Sequence, residues 1–342
     1  MFYIDCGDKQ NMPDKTSGVI NYSVVTYNRN DFINFEDIFE NESLNRPEWV
    51  RQNTATGEVI VYDSGNNCLY FFTSDGEYIR KSGRTGQGPG EFFRVYFIHI
   101  DNDGDIYVYE DGNRRVQIFS KTGRFIDSFR IKGMINRESR MTITKNKEVV
   151  MNDPLKGYYF SIYSRDGTLK KHIGEIQKIR KSDSEFNDEY NKSYGIGIPF
   201  EDENGNLVLF LQNLAIVKVF NDSGTVINDI SLEKVLQVKT YKDEKFGKFE
   251  IPMPTYYDDI IYKNGIYYLL MRYRVTIEDD KVNVIMYALN KDFEVIKKGY
   301  LPIKEDMWYI GSIAVLESSQ NLLISSTMDA EVCRYFLNDL IK

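Results

Sequence analysis

The fold is decided by a stretch that reads Asp103-Gly104-Asp105-Ile106-Tyr107-Val108, continues with Val116-Gln117-Ile118-Phe119 and ends with Thr122-Gly123-Arg124. A tight glycine turn leads into a short apolar strand, a loop, a second apolar strand and another glycine turn. Val, Ile, Tyr and Phe dominate the strands, which is typical of pleated, half-buried segments. Asp-Gly and Thr-Gly supply the positive φ angles that tight turns favour. The stretch therefore predicts two strands of one antiparallel sheet.

The same sequence pattern occurs six times along the chain, and its glycines mark the register of each copy. The best-kept pairs, each 19 residues apart, are Gly57 and Gly76, Gly104 and Gly123, and Gly205 and Gly224. In the third copy Lys147 replaces the first glycine, and Gly167 follows 20 residues later. Repeats of roughly 40–60 residues with four strands each are typical of a β-propeller. We therefore predict an all-β, six-bladed β-propeller with four-stranded antiparallel blades.

The last copy is one strand short. It offers Gly311–Leu316, Leu322–Ser326 and Val332–Leu337, whereas the apolar segment Val19–Tyr27 precedes the first complete copy. An open sheet edge templates aggregation, and sharing a blade between the two chain ends would remove it. We therefore expect the N-terminal strand to complete the last blade, beside Val332–Leu337.

Composition limits the class of protein. The chain has 342 residues and a net charge of −8, and we divide it into an N-terminal tail (1–17) and one propeller domain (18–342). A chain of this size buries about 75% of the surface that its unfolded form exposes, so its stability requires no metal or disulfide. No basic cluster provides the footprint that nucleic acid requires. No signal peptide is visible, and no apolar run is long enough for a transmembrane helix.

Loop lengths differ between the two faces of the predicted disc. Turns between strands 1–2 and 3–4 of each blade leave from one face and are nearly all minimal; we call it the short-turn face. The opposite, long-loop face carries the 2–3 loops and the blade-to-blade crossovers. Its long segments are Asn28–Arg46, Ser82–Arg94, Gly133–Ser139, Glu175–Ile196, Glu233–Tyr257, Pro302–Tyr309 and the 2–3 loop Tyr273–Lys281. Long loops on a rigid scaffold usually carry binding or catalysis, so we expect function on this face.

Inner strands begin at the long-loop face, close to the central channel. The polar residues expected at this channel mouth are Glu48, Arg94, Arg140, Asp258 and Tyr309. Carboxylates can hold a divalent cation there, which is the one cofactor these residues suggest. The candidate metal ligands are Glu48, Asp258 and Asp259.

One crossover is rich in glycine and reads Gly83-Arg84-Thr85-Gly86-Gln87-Gly88-Pro89-Gly90-Glu91-Phe92. A phosphate-binding glycine loop needs a helix after it, whereas a strand pattern follows here. We therefore expect the glycines to permit a tight chain reversal and to let Phe92 wedge between two blades. Arg84, Gln87 and Glu91 project polar groups from this crossover and are candidate ligand contacts.

The glycine-rich crossover carries a family resemblance. Together with the turn Asp103-Gly104 and the strand Arg115-Val116-Gln117-Ile118-Phe119, it resembles the NHL-type propeller repeat. It is more similar still to a six-bladed β-propeller family common among secreted or lipid-anchored proteins of Bacteroidetes. The resemblance implies a location in the periplasm or at the cell surface. It also implies that Cys6, followed by Gly7-Asp8, is the residue where a lipid anchor would attach, the only membrane contact expected.

Nucleophilic and zinc catalysis find little support. The chain has only two histidines, so a three-histidine zinc site is excluded. A Ser–His–Asp triad needs a histidine at the channel mouth. His99 lies within a predicted inner strand and His172 on a predicted outer strand. We therefore assign no catalytic residue.

Two hypotheses of function follow. The first is a non-catalytic, extracytoplasmic binding module that holds a peptide, glycan or protein partner on the long-loop face. Its candidate contacts are Arg84, Gln87, Glu91, Arg94, Arg140 and Tyr309. The alternative is a metal-dependent hydrolase or lactonase with a carboxylate-ligated ion at the channel mouth.

Overall fold

The computed structural model describes most of the propeller. The described residues are 23–26, 43–131, 140–176, 194–236, 256–277, 281–303, 310–317, 321–327 and 331–336, with the backbone alone at 23–26, 273–277 and 281. Helix is confined in these ranges to α1 (Glu233–Leu236) and a 3₁₀ turn at Pro154–Lys156. Within them, no helix is both long and apolar enough to span a membrane.

The strands form six sheets that follow one another along the chain. Strand β1 is Ser23–Thr26, and blade 1 contains β2 (Pro47–Gln52), β3 (Val59–Asp63), β4 (Cys68–Phe72) and β5 (Tyr78–Ser82). Blade 2 contains β6 (Val95–Ile100), β7 (Ile106–Glu110), β8 (Arg115–Phe119) and β9 (Phe125–Arg130). Blade 3 contains β10 (Met141–Ile143), β11 (Val149–Asn152), β12 (Tyr158–Tyr163) and β13 (Leu169–Glu175).

Blades 4 to 6 continue the same up-and-down order. Blade 4 contains β14 (Gly197–Glu201), β15 (Leu207–Leu211), β16 (Ile216–Phe220) and β17 (Val226–Ser231). Blade 5 contains β18 (Tyr257–Lys263), β19 (Ile266–Ile277), β20 (Lys281–Leu289) and β21 (Val295–Pro302). Blade 6 contains β22 (Ile310–Val315), β23 (Asn321–Ser326) and β24 (Glu331–Phe336). The prediction of an all-β, six-bladed propeller with antiparallel blades is confirmed.

Side-chain oxygens explain why the turns of the short-turn face are so short. In the 1–2 turn of blade 2, Asp101 Oδ1 accepts the backbone N–H groups of Asp103 and Asp105, each at 3.0 Å. Gly104 then adopts a φ of +90°. In blade 3 the equivalent position is Lys147, with a φ of +61°, and its ammonium lies 2.5 Å from Asp101 and 2.6 Å from Asp103. Two ion pairs with the neighbouring blade thus accompany the strained backbone at Lys147.

Burial falls from the inside of each blade to the outside. Every residue of β3, β4, β7 and β8 is buried, whereas β5 and β17 are half or mostly exposed. The core lies between neighbouring blades rather than within one, because each sheet covers an apolar face of the next. Blade 6 must therefore meet blade 1 if every inner face is to be covered.

Blades 6 and 1 meet along their inner strands. The backbone N–H of Val50 donates to Ser312 Oγ at 2.6 Å, and Ser325 Oγ donates to the carbonyl of Glu48 at 3.2 Å. The approach is so close that a Cβ on Gly311 would lie 2.2 Å from that same carbonyl oxygen. Packing between whole blades therefore closes the ring.

The expected role of the N-terminal strand in this closure is wrong. β1 runs parallel to β21, the outer strand of blade 5, with Ser23 opposite Lys297 and Thr26 opposite Tyr300. It does not lie beside β24, and the described part of blade 6 has three strands. Strand addition uses main-chain groups that every outer edge offers, so side-chain pattern cannot choose the edge. The eight-residue β21 is a longer template than the six-residue β24. The division between residues 17 and 18 lies outside the described residues.

The expected 2–3 loop Tyr273–Lys281 is also corrected. β19 and β20 continue their antiparallel pairing beyond the blade, with Arg274 opposite Val284 and Ile277 opposite Lys281. Val275, Thr276 and Ile277 are β-branched residues that favour strand. The segment is therefore a two-stranded extension on the long-loop face.

Replacing Gly311 with alanine tests the seam between blades 6 and 1. The added Cβ would clash with the Glu48 carbonyl, and overpacking of this kind costs about 1–3 kcal/mol. We expect Gly311→Ala to lower the free energy of unfolding by about 2–3 kcal/mol in urea titrations followed by circular dichroism. In the control Gly88→Ala, the added atom meets only the end of the Glu91 side chain, at 3.0 Å. Equal stability of the two variants would show that the seam is not closely packed.

Candidate functional site

The glycine-rich crossover reverses the chain within a few residues. Phe92 N–H donates to Arg84 O at 2.7 Å, and Gly86 N–H donates to Phe92 O at 3.0 Å. Gly83 has a φ of +95°, and a Cβ there would lie 2.2 Å from the Phe92 ring. A Cβ on Gly86 would lie 2.1 Å from the Glu91 carboxylate. The glycines are needed because side chains of the crossover fill the space that a Cβ would occupy.

Phe92 is the residue that this reversal inserts between two blades. Its ring is fully buried, with ring centroids 6.0 Å from Tyr62 in β3 and 5.4 Å from Phe119 in β8. The expected wedge between blades 1 and 2 is confirmed. The crossover leads into strand β6 rather than a helix, as its sequence predicts.

A buried carboxylate organises the next hairpin beneath the crossover. Glu110, at the end of β7, has no exposed surface. It accepts hydrogen bonds from the Phe93 N–H at 3.0 Å, from Arg115 Nε at 2.9 Å, and from the side-chain amides of Asn113 and Gln117. A fully desolvated charge is stable only when it is paired and its lone pairs are filled, and this arrangement does both.

The same side chains hold the backbone of the crossover. Arg115 donates from Nη1 to Gln87 O at 3.0 Å, and from Nη2 to Gly88 O at 2.9 Å and Glu91 O at 2.8 Å. Gln117 donates to Glu91 O at 2.8 Å. The crossover is thus fixed through its carbonyl groups, which leaves the Gln87 side chain free to face outward.

A pocket of about 310 Å³ opens between the crossover and the outer hairpin of blade 2. We call it the blade-2 pocket; its lining residues are Gln87, Asn113, Arg115, Ser128, Phe129 and Arg130. The side chains of Gln87, Ser128 and Arg130 have no hydrogen bond or ion pair with any described residue. Because the lining comes from a crossover, a 2–3 loop and the end of an outer strand, the pocket belongs to the long-loop face.

The predicted ligand contacts near this pocket separate into different roles. Gln87 lines it. Glu91 instead shapes the crossover, since its carboxylate accepts the Gly88 N–H at 2.9 Å and pairs with Arg84 at 2.7 Å. The Gly88 N–H, followed by Arg84, lowers the pKa of Glu91. Arg94 lies apart, 2.8 Å from the Tyr96 hydroxyl.

Arg140 does not reach a channel mouth and is 8% exposed. Its guanidinium carbon lies 5.0 Å from the ring centroid of Trp49 and 5.6 Å from that of Phe97. Arg51 approaches the same two rings at 5.2 and 5.6 Å. These four side chains form an arginine–aromatic plug in the long-loop half of the channel. Tyr309, the remaining predicted contact, lies outside the described residues.

Asp259 holds Arg51 in this plug, and both of its carboxylate oxygens accept hydrogen bonds. Its carboxylate pairs with both terminal nitrogens of Arg51, at 2.8 and 3.2 Å, and accepts the Ile313 N–H at 2.9 Å. Asp258 pairs separately with Arg272 at 2.9 Å. The backbone carbonyl of Glu48 faces the seam. In the described part of the chain, no three His, Cys, Asp or Glu side chains are grouped to hold a metal ion. The three predicted metal ligands therefore do not form a site there.

Beyond the plug, the channel continues as a cavity of about 200 Å³. Its lining includes residues of all six inner strands, and His99 in β6 is one of them. Burial, and then the positive charge of Arg51, lowers the pKa of His99 to about 4. The imidazole is therefore neutral at physiological pH.

Sequence reasoning does not single out the other residues of the blade-2 pocket. Arg115 opens the strand that carries the family resemblance, and Asn113 lies two residues before it, so the resemblance was a signal for this part of the pocket. Ser128 and Arg130 lie on an ordinary outer strand, β9, and carry no pattern that separates them from other surface residues.

Removing the Glu110 carboxylate tests the network beneath the crossover. Glu110→Ala leaves Arg115 as a buried cation without its partner, which typically costs about 3–5 kcal/mol. We expect a loss of this size in urea unfolding. The matched change Glu148→Ala breaks an exposed pair with Lys170 and should cost about 1 kcal/mol or less. A loss at Glu110 no larger than that at Glu148 would contradict the network's structural role.

The neutral state of His99 predicts a pH dependence. The folded pKa of about 4 lies below the ordinary value of 6.5, so the unfolded chain binds the proton first as pH falls. His99 therefore lowers stability progressively between pH 6.5 and pH 4, by at most about 3 kcal/mol. Comparing unfolding free energies at pH 7 and pH 4.5, we expect His99→Gln to lose less stability than wild type. Equal pH profiles for His99→Gln and wild type would rule out the assignment.

Comparison with known proteins supports the architecture. Residues 50–196 match the family described as "6-bladed beta-propeller". No curated protein sequence matches the chain.

Three solved structures share the fold at low identity. A Bacteroides fragilis protein inferred to be exported is 11% identical, with a TM-score of 0.55 over 92% of this chain and 99% of its own. A streptogramin B lyase is 10% identical, with a TM-score of 0.54 over 87% of this chain and 95% of its own. A member of the DUF4221 family from Bacteroides vulgatus is 11% identical, with a TM-score of 0.53 over 87% and 94%. The resemblance in the glycine-rich crossover is confirmed at the level of the fold: the chain is a six-bladed β-propeller, and its residues 50–196 match the model of a six-bladed propeller family.

Proposed function

We propose that this protein is a non-catalytic binding module that holds an acidic peptide, glycan or protein partner on its long-loop face, with the blade-2 pocket as the point of contact. The observation that carries the proposal is the pre-formed pocket. Glu110, Arg115 and Gln117 fix the crossover through buried hydrogen bonds, so the pocket exists before any ligand arrives. Pre-organisation reduces the entropy that binding must overcome.

The lining chemistry favours an acidic group. Glu110 already neutralises Arg115, so Arg130 provides the net positive charge of the pocket. A guanidinium pairs with a carboxylate through two parallel hydrogen bonds. The Ser128 hydroxyl and the Gln87 amide add neutral donors nearby. The volume lies at the lower end of the roughly 300–1,000 Å³ usual for ligand pockets. One sugar or one amino-acid unit fits, and the rest of a larger partner would lie across the long-loop face.

The proposed location is the periplasm or the cell surface. Support comes from the family resemblance and from the fold shared with a Bacteroides fragilis protein that is inferred to be exported. Cys6, the proposed site of a lipid anchor, lies outside the described residues.

An enzyme is the weaker alternative. The streptogramin B lyase shares the architecture, but a shared fold does not transfer an activity. A metal-dependent hydrolase would need free carboxylates at the channel mouth. Asp258 and Asp259 are instead occupied by Arg272 and Arg51. We therefore favour binding over metal-dependent catalysis.

A charge reversal at the pocket tests the proposed function. The wild-type protein is applied to arrays of uronic-acid oligosaccharides and Asp- or Glu-containing peptides, each with a neutral counterpart. We expect selective binding to acidic members, weakened about tenfold or more by Arg130→Glu because the pocket loses its net positive charge. Gln87→Ala should weaken the same binding to a smaller extent.

Arg124→Glu provides the matched control. Arg124 is exposed, sits just before β9 on the short-turn face, and undergoes the same charge change as Arg130 at the other end of that strand. We expect it to bind as wild type does. Equal losses for the two variants would indicate only long-range charge, and binding that ignores Arg130→Glu would refute the pocket. A stoichiometric metal in protein purified without chelator would favour the hydrolase.

A further inference from the structure

The cavity beyond the plug, which we call the channel cavity, opens on the short-turn face. Its lining includes the last residues of inner strands, such as Gln52 and Lys263, and the turn residues Thr54 and Asn102. The plug of Trp49, Arg51, Phe97 and Arg140 lies on the opposite, long-loop side of the cavity. The turn residues of the lining therefore place its opening at the end away from the long loops.

The deep walls of the channel cavity are apolar. Phe97, Met141, Ile198 and Ile260 come from four different blades, and each is at most 4% exposed. An apolar cavity of about 150 Å³ can bind benzene in an unrelated protein. A space of about 200 Å³ therefore accommodates a six-membered ring and one small substituent.

Lys263 carries the positive charge at the entrance to these walls. Its side chain is 12% exposed, and Nζ donates to Gln52 Oε1 and Val315 O, both at 2.6 Å. These two acceptors are neutral, and the anionic oxygen that pairs with Nζ, on Glu317, lies 3.8 Å away, which is beyond hydrogen-bond distance. One N–H of the ammonium therefore lacks a close acceptor. Burial lowers the pKa of Lys263 to about 8, so it is mostly protonated at neutral pH.

The other charged side chains of the lining are already neutralised. Arg51 is paired with Asp259, and Asp101 is paired with Lys147. His99 is uncharged, and its ring nitrogens have no hydrogen bond to any residue that the structure describes. The channel cavity thus combines one cation that has a vacant donor, one neutral imidazole and apolar walls.

We propose that the channel cavity is a second ligand site, independent of the blade-2 pocket, and that it binds a small organic anion consisting of a carboxylate on a compact apolar body. The carboxylate accepts the vacant N–H of Lys263, the apolar body packs against Phe97 and Met141, and His99 supplies a neutral hydrogen-bonding group. A cationic ligand would meet the like charge of Lys263. A neutral ligand would leave the ammonium with only the distant carboxylate of Glu317, 3.8 Å away, as its counter-charge in a partly desolvated space.

Benzoate, benzamide and benzamidine form a matched set of probes, since they share the ring and differ in charge. The chain has only two histidines, so its imidazole C–H signals in NMR spectra report separately on the cavity (His99) and on a distant outer strand (His172). His172→Gln assigns the pair. We expect benzoate to shift the His99 signals saturably at millimolar concentration, and to bind at least about tenfold more tightly than benzamide. Benzamidine should leave the His99 signals unchanged.

Variants at lysine separate the site from general charge effects. Lys263→Met should weaken benzoate binding about tenfold or more, whereas Lys263→Arg should keep most of it. Lys121→Met removes the same charge from an exposed turn of the short-turn face and should have no effect. If Lys263→Met fails to fold, the comparison of benzoate with benzamide in the wild type still decides the matter. Equal affinity for these two probes, equal shifts of both histidines, or no shift at about 10 mM benzoate would overturn the proposal. Arg130→Glu should leave benzoate binding intact, so failure here and failure of the long-loop site are distinguishable.

Discussion

The ion pair between Arg51 and Asp259 is the interaction on which the centre of the molecule depends. It joins inner strands of blades 1 and 5, and both partners also bond to the backbone of Ile313 in blade 6. Blades 1, 5 and 6 are therefore tied at one point, beside the seam between blades 6 and 1. The same guanidinium rests on Trp49 and Phe97 within the channel, and its charge helps to keep His99 neutral. One buried pair thus links three blades, holds the plug together and engages a carboxylate that the sequence offered as a metal ligand.

The blade-2 pocket is built on an anchoring interaction that blade 1 also has, between a carboxylate and backbone N–H groups of the crossover. At the end of their second strands, Asp63 and Glu110 both accept backbone N–H groups from the crossover that enters their own blade. In blade 1 this anchors Asn45 and Arg46, and Asp63 also accepts the backbone N–H of Asn66 in the 2–3 loop. In blade 2, Arg115 and Gln117 extend the anchor so that it holds the entire glycine-rich crossover. Two additional polar side chains thus turn an anchoring position that both blades share into the support of the proposed blade-2 site.

The sequence predicts what depends on local geometry and fails where several blades must be compared. Paired glycines mark hairpins, because a positive φ angle is a local requirement, and the packing of Phe92 follows from the residues next to it. Edge pairing of β1 is decided by main-chain groups that all outer strands share, so the pattern of Val19–Tyr27 could not choose blade 5. Arg140 resembles any polar residue at the start of an inner strand. Only the convergence of six strands shows that it is buried on Trp49. For the same reason, the sequence does not show that Lys263 and His99 share a cavity, since each is a single polar residue near the end of an inner strand.

Blade 2 links the two proposed sites even though they open in opposite directions. The plug lies in the channel on the long-loop side of the channel cavity. The glycine-rich crossover nevertheless runs directly into β6, and β6 carries both Phe97 of the plug and His99 of the channel cavity. β6 and its hydrogen-bonded partner β7, which ends at Glu110, therefore connect the two proposed sites. Energetic coupling requires an element with two arrangements. Because β6 pairs with β7 on both sides of a bulge between Val95 and Phe97, we expect it to keep one arrangement and the two proposed sites to bind their ligands independently.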